Sequence, residues 1–116
     1  MVTRSDPRVT PLRPAVFHIL LALSVEDLHG LGIADEVERA SGGMLELGPG
    51  TLYRSLAEMV DAGLIRSVRA PGDAADPRRK YYRITAAGRT SVAAEARRLQ
   101  RLVGAARDRN VLRDPT

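Results

Sequence analysis

The chain has 116 residues, a formal net charge of +4 and no cysteine. That length suits one small domain with a single core, and the missing cysteines exclude a disulfide scaffold and any thiolate metal site. Apolar residues make up 44% of the chain but aromatics only 3%, so the core must be aliphatic and alanine-rich.

Residues 1–12 carry Pro7 and Pro11 without hydrophobic periodicity, which predicts a flexible arm bearing Arg4 and Arg8. A first helix opens near Arg13 or Pro14 and runs to about Ser24. Val16, Ile19, Leu20 and Leu23 line its main apolar face, widened by Ala15, Phe17, Leu21 and Ala22. A helix this apolar must be covered on more than one side, a first hint of an intermolecular contact. The run from Ala15 to Val25 is broken by His18 and Ser24, is too short to span a bilayer, and precedes no small-residue cleavage site. The expectation is a soluble cytoplasmic protein with no membrane partner.

Glu26-Asp27-Leu28-His29-Gly30 reads as a turn. A second helix follows from about Gly30 to Ala40 with Ile33, Ala34 and Val37 inward, closed by Ser41-Gly42-Gly43. After a short alternating connection, Met44 to Leu47, comes the stretch that carries the most information. Pro49 suits a first helical position. Leu52, Leu56, Met59 and Val60 recur at helical spacing as a buried face, and Gly63 stands where a left-handed C-cap belongs. The opposite face presents Thr51, Tyr53, Arg54 and Ser55 near the N-terminus, the end that a recognition helix offers to DNA. Three helices joined by tight turns give a helix-turn-helix layout.

Two strands follow, Leu64–Arg69 and Lys80–Ile84, around a breaker-rich tip from Pro71 to Pro77, which predicts a wing. Tyr81 and Tyr82 must face opposite ways, because strand side chains alternate. Tyr82 is expected inside with Ile84, and Tyr81 as the outward contact. Thr85 is a candidate N-cap for a last helix ending at Arg107 or Arg109. On it Val92, Ala96, Leu99 and Val103, with Leu102 and Ala106 beside them, form one apolar seam, for which a second copy of the chain is the simplest partner. The predicted class is therefore mainly α with a small β-hairpin. A flexible arm (1–12) leads into a winged helix-turn-helix (13–85), a C-terminal dimerisation helix (86–109) and a flexible tail (110–116).

Charge is segregated. From Glu26 to Asp61 eight acids face only Arg39 and Arg54; from Ala62 onward thirteen basic residues face five acids. A polyanion would engage the later part together with the tip of the reading helix. Thr51 and Arg54 are the candidate base contacts, Gly50, Tyr53 and Ser55 lie beside them, and Arg78, Arg79, Lys80 and Tyr81 are the candidate backbone clamp. The arginines from Arg89 to Arg113 fit a solvated helix face. His18 and His29 have no cysteine or carboxylate at ligand spacing, so no metal or other cofactor is expected. Gly48-Pro49-Gly50-Thr51 lacks the lysine and preceding strand of a phosphate loop, and no serine–histidine–acid arrangement stands out. An enzyme is not expected.

Leu47-Gly48-Pro49-Gly50-Thr51-Leu52-Tyr53, with Gly63-Leu64-Ile65 downstream, resembles the PadR family of bacterial transcriptional regulators. So does Arg78-Arg79-Lys80-Tyr81-Tyr82-Arg83-Ile84-Thr85-Ala86-Ala87-Gly88, similar to that family's wing-to-helix signature, and His29-Gly30 and Ser41-Gly42-Gly43 fit the same alignment. The likeness covers roughly residues 14 to 104. The chain departs from the pattern at Leu31-Gly32, where the family often has an aromatic, and in its Ala/Asp-rich wing tip. Its short tail resembles the subfamily with one C-terminal helix.

The resemblance implies a homodimeric winged-helix repressor that holds two reading helices over a double-stranded operator of two-fold character. It also implies a small-molecule effector near the dimer helices, for which Phe17, Leu20, Leu99 and Val103 are the candidate pocket. A rival reading from another class is a winged-helix interaction module that docks a protein on its acidic Glu26–Glu46 face and does not read DNA. The Thr51/Tyr53/Arg54 surface and the Arg78-Arg79-Lys80 cluster argue against it.

Overall fold

The apolar spacing of the sequence becomes four helices and a small sheet in the computed structural model, which describes residues 6–70, 72 and 78–113. In chain order these are α1 (Pro14–Leu23), β1 (Leu28–His29), α2 (Gly30–Ala40), α3 (Pro49–Asp61), β2 (Ile65–Val68), β3 (Tyr81–Ile84) and α4 (Ala86–Asp108). Proline opens α1 and α3, where its missing N–H costs no hydrogen bond. Gly63, at φ +77°, ends α3 in the left-handed region that a side chain disfavours. Thr85 caps α4, accepting from the Gly88 N–H at 3.1 Å, while its hydroxyl donates to the Gly63 carbonyl at 2.6 Å.

The sheet holds a strand the sequence reading took for a turn. Leu28 and His29 pair antiparallel with Tyr82 and Tyr81, so the order is β1-β3-β2. Two residues are too few to show a period of two. They become a strand only because β3 offers them a free edge. On its other edge β3 pairs with β2, in the register Ile65↔Ile84 to Val68↔Tyr81.

One core joins all the helices and the sheet, built from Val16, Ile19, Leu20 and Leu23 of α1, Ile33 and Val37 of α2, Leu52, Leu56 and Met59 of α3, and Leu64, Ile65, Tyr82, Ile84 and Val92. Most of the apolar surface of α1 is therefore consumed within the protomer, with Leu21 left exposed and Phe17 half-buried. On α3 the buried face is Leu52, Ser55, Leu56 and Met59. That i, i+3, i+4, i+7 stripe turns Val60 outward and Ser55 inward, the reverse of the sequence expectation.

Residues 6–12 are seated rather than loose. Pro7 is buried, Leu12 joins the core, and Arg8 pairs with Asp6 at 2.9 Å, which holds the Asp6 carboxyl down at about 2. Arg4, the other arm arginine, and most of the wing tip lie outside the described residues. The apolar stripe of α4 divides in two. Gly88, Val92 and Glu95 are buried against the protomer, while Leu102 and Val103 further along are exposed, at 54% and 39%.

Candidate nucleic-acid interface

Helix α3 is held at both ends of its exposed face. Gly48 and Pro49 set its start, and Arg13 at the head of α1 bonds Glu58 at 2.6 Å. Because Glu58 is engaged there, Arg54 one turn earlier has no ion-pair or hydrogen-bond partner among the described residues. Gly50, Thr51, Tyr53 and Arg54 are all exposed. Ser55, expected beside them, is 7% exposed and packed on the inner face, which leaves it no route to a groove.

The wing root meets this helix. Tyr53, Arg79 and Lys80 line a cavity of about 120 Å³ together with His29, Gly30 and Tyr82. A second, more open concavity is bordered by Arg69, Arg79 and Lys80, so Arg69 belongs to the same cationic surface. It follows Val68, and Lys80 precedes Tyr81, the last residues paired between β2 and β3. The two tyrosines divide as strand alternation requires. Tyr82 shares the inner face with Ile84 and is 7% exposed; burial raises its phenol further above its ordinary value, so it stays a neutral donor. Tyr81 is half-buried, its ring edge-on to His29 at 5.3 Å between centroids, so it backs an imidazole instead of standing clear as a contact. Arg78, Arg79 and Lys80 are exposed.

Not every cation here is available. Arg66 and Arg83 face each other across β2 and β3, a repulsive placement. Asp27 answers both: Arg83 donates to its carboxylate over 2.7 to 3.2 Å, and those bonds, with the charge of Arg66 as a lesser cause, keep the carboxyl below its ordinary range. Sequence reading missed Arg69 as a member of the surface, and placed His29 at the start of α2 without its link to the wing root. Strand register could have found the first. The second needed the fold, because its neighbour Arg79 lies 50 residues away in the chain.

The α4 seam is also redistributed. Val92 is part of the protomer's own core, whereas Ala96, Leu102 and Val103 are exposed and Leu99 and Ala106 half-buried. Of the four effector-pocket candidates, Leu20 is fully buried in the core and cannot line a pocket open to solvent; Phe17, Leu99 and Val103 retain accessible surface. No helix among the described residues is long and apolar enough to cross a membrane.

Comparison with known proteins agrees with this architecture. Residues 19–94 match the Transcriptional regulator PadR-like family. A PadR family transcription regulator from Clostridium difficile superposes with a TM-score of 0.68 over 86% of this chain and 100% of that one, at 23% identity. RosR of H. salinarum does so with a TM-score of 0.60 over 89% and 98% of the two chains, at 26% identity. An uncharacterized 37.1 kDa protein in transposon Tn4556 of Streptomyces fradiae is 36% identical over 86 residues, which is 74% of this chain and 23% of that protein.

Proposed function

Because the chain belongs to the PadR-like family of transcriptional regulators, we propose that it acts as a homodimeric repressor that reads a palindromic operator in duplex DNA and is released by a small-molecule effector. The observation that carries this reading is Arg54, exposed and without a partner among the described residues, beside Thr51 on the first turns of α3, with a cationic wing root meeting Tyr53 across a shared cavity. A donor-rich helix end can enter the major groove, where an arginine bonds the O6 and N7 of a guanine and a threonine can contact a base edge or a thymine methyl. Gly50 adds no side chain to hold the backbone away. Tyr53, Arg69, Arg78, Arg79 and Lys80 then serve the phosphates, which fix register and supply most of the affinity.

The accessible continuation of the α4 stripe, with Ala96, Leu102 and Val103 exposed and Leu99 and Ala106 half-buried, supports pairing of two copies, and a two-fold dimer reads a two-fold site. Phe17, Leu99 and Val103 are the effector contacts in this account. They are aliphatic apart from one ring, which favours a small apolar ligand.

Footprinting of the protein on the duplex upstream of its own gene tests the proposal. Two protected half-sites centred about 10 base pairs apart, or a multiple of that, are the expected pattern. A single patch occupied by one protomer would count against the dimeric reading.

A further inference from the structure

Resting on the DNA-binding reading, a second feature of this surface follows from counting donors at His29. The imidazole Nδ1 accepts from the Gly32 N–H at 3.1 Å, capping α2. A neutral imidazole that accepts at one nitrogen carries its proton on the other. Yet the second nitrogen, Nε2, lies 2.8 Å from Nη1 of Arg79, and a guanidinium only donates. The opposite tautomer satisfies Arg79 but turns a second N–H against Gly32. In either state one acceptor is missing, and the shortfall faces the 120 Å³ cavity that Tyr53, Arg79, Lys80 and Tyr82 also line.

Apart from the aliphatic Leu31, the rest of the cavity lining fits an anionic oxygen. Arg79 and Lys80 bring two positive charges. Tyr82 is a neutral phenol whose burial disfavours its own ionisation. Gly30 lets the Tyr53 hydroxyl pack against the start of α2 at the cavity wall, since a Cβ there would stand 2.7 Å from it. Tyr81 fixes the imidazole plane from behind, edge-on at 89°. Among the described residues no carboxylate lines the cavity.

We infer that this cavity holds one phosphate of the DNA backbone, and that His29 donates from Nε2 to the same phosphate that Arg79 and Lys80 neutralise. The bound oxygen supplies the missing acceptor, separating His29 from Arg79 while leaving the α2 cap intact. His29 thereby acts twice, in the fold through Nδ1 and on the ligand through Nε2.

His29→Asn separates the two roles, because asparagine is a good N-cap but offers no group in place of Nε2. The expected result is an unchanged melting temperature, duplex affinity lower by roughly tenfold per half-site, and a salt slope close to that of the unmodified protein, since a neutral donor is lost. Arg79→Ala should instead lower the salt slope by about one per half-site. A scan replacing single duplex phosphates by uncharged methylphosphonates should find one position per half-site where the unmodified protein loses more affinity than His29→Asn, whose remaining penalty there is that of Arg79 and Lys80. Equal affinity of His29→Asn and the unmodified protein, or equal penalties in both along the whole scan, would overturn the inference. Duplex binding by the unmodified protein without sequence selectivity would overturn the operator reading instead and leave the phosphate scan legible. No duplex binding at all would overturn both.

Discussion

Two glycines of α4 invite the same substitution with opposite results. Gly88 packs directly on the chain leaving α3: a Cβ at this position would stand 2.2 Å from the Leu64 carbonyl oxygen and 2.8 Å from Cγ1 of Ile84. That carbonyl also accepts the Thr85 N–H at 3.0 Å, so it cannot retreat without loosening the cap of α4. In Gly88→Ala the separation must grow from 2.2 Å to beyond 3.0 Å, shifting backbone against backbone. Overpacking of this kind costs about 3 kcal/mol, offset by about 1 kcal/mol from the better helix propensity of alanine. A net loss of about 2 kcal/mol lowers the melting temperature by roughly 10 °C for a domain of this size.

Gly104 lies in the same helix, off the apolar seam, and a Cβ there meets nothing within 4 Å. Gly104→Ala therefore keeps only the propensity term and should raise the melting temperature by roughly 4 °C. Thermal unfolding followed by circular dichroism, with both variants at one protein concentration, decides the matter. Equal stability of the two variants would refute the close docking of α4 on Leu64.

Glu95 is 2% exposed, and Arg98 bonds both its oxygens at 2.7 and 2.8 Å. Arg98→Met should cost about 3 kcal/mol by stranding a buried carboxylate, Glu95→Gln about 1 kcal/mol, and the Arg98→Met deficit should shrink in acid as the carboxyl protonates, all readable from denaturant titrations. The Arg98 bonds hold the folded Glu95 below the ordinary carboxylate range, so its contribution is present above that range and lost as pH falls through the lowered value; Glu95→Gln should flatten that part of the acid limb. Asp27→Asn leaves Arg66 and Arg83 opposed and should destabilise by about 0.5–1 kcal/mol, again with the loss vanishing in acid. Leu102→Asp, at an exposed position, should leave the protomer folded but produce monomers in sedimentation at micromolar concentration and weaken duplex binding in parallel. Unchanged mass would remove Leu102 from the interface.

What the sequence reveals and what it hides divide along physical lines. Helix ends are legible where one residue type has a local reason to be there: Pro49 at a start, Gly63 in the left-handed region, Thr85 with its hydroxyl on Gly88. The exposed Thr51/Arg54 surface is legible because the opposite stripe is strongly apolar. The stripe's centre is not, because Leu52, Leu56 and Met59 are compatible with either Ser55 or Val60 as their neighbour, and only packing against α1 and α2 chooses Ser55. Strand β1 hides for want of length. Val92 illustrates a different limit: an unbroken seam along α4 does not reveal where the protomer's own core ends and free surface begins. The cavity at His29 joins residues from four elements or their connections, a convergence no single window of sequence contains.

Duplex binding by the unmodified protein and by the Thr51→Ala/Arg54→Ala double variant, measured across a salt series on its upstream region and on a scrambled duplex, addresses the central claim most directly. Operator reading predicts a steep salt slope and marked preference for the upstream duplex in the unmodified protein, with the preference lost and the slope largely kept in the variant. Weak binding in both, indifferent to sequence and to the substitutions, would contradict it.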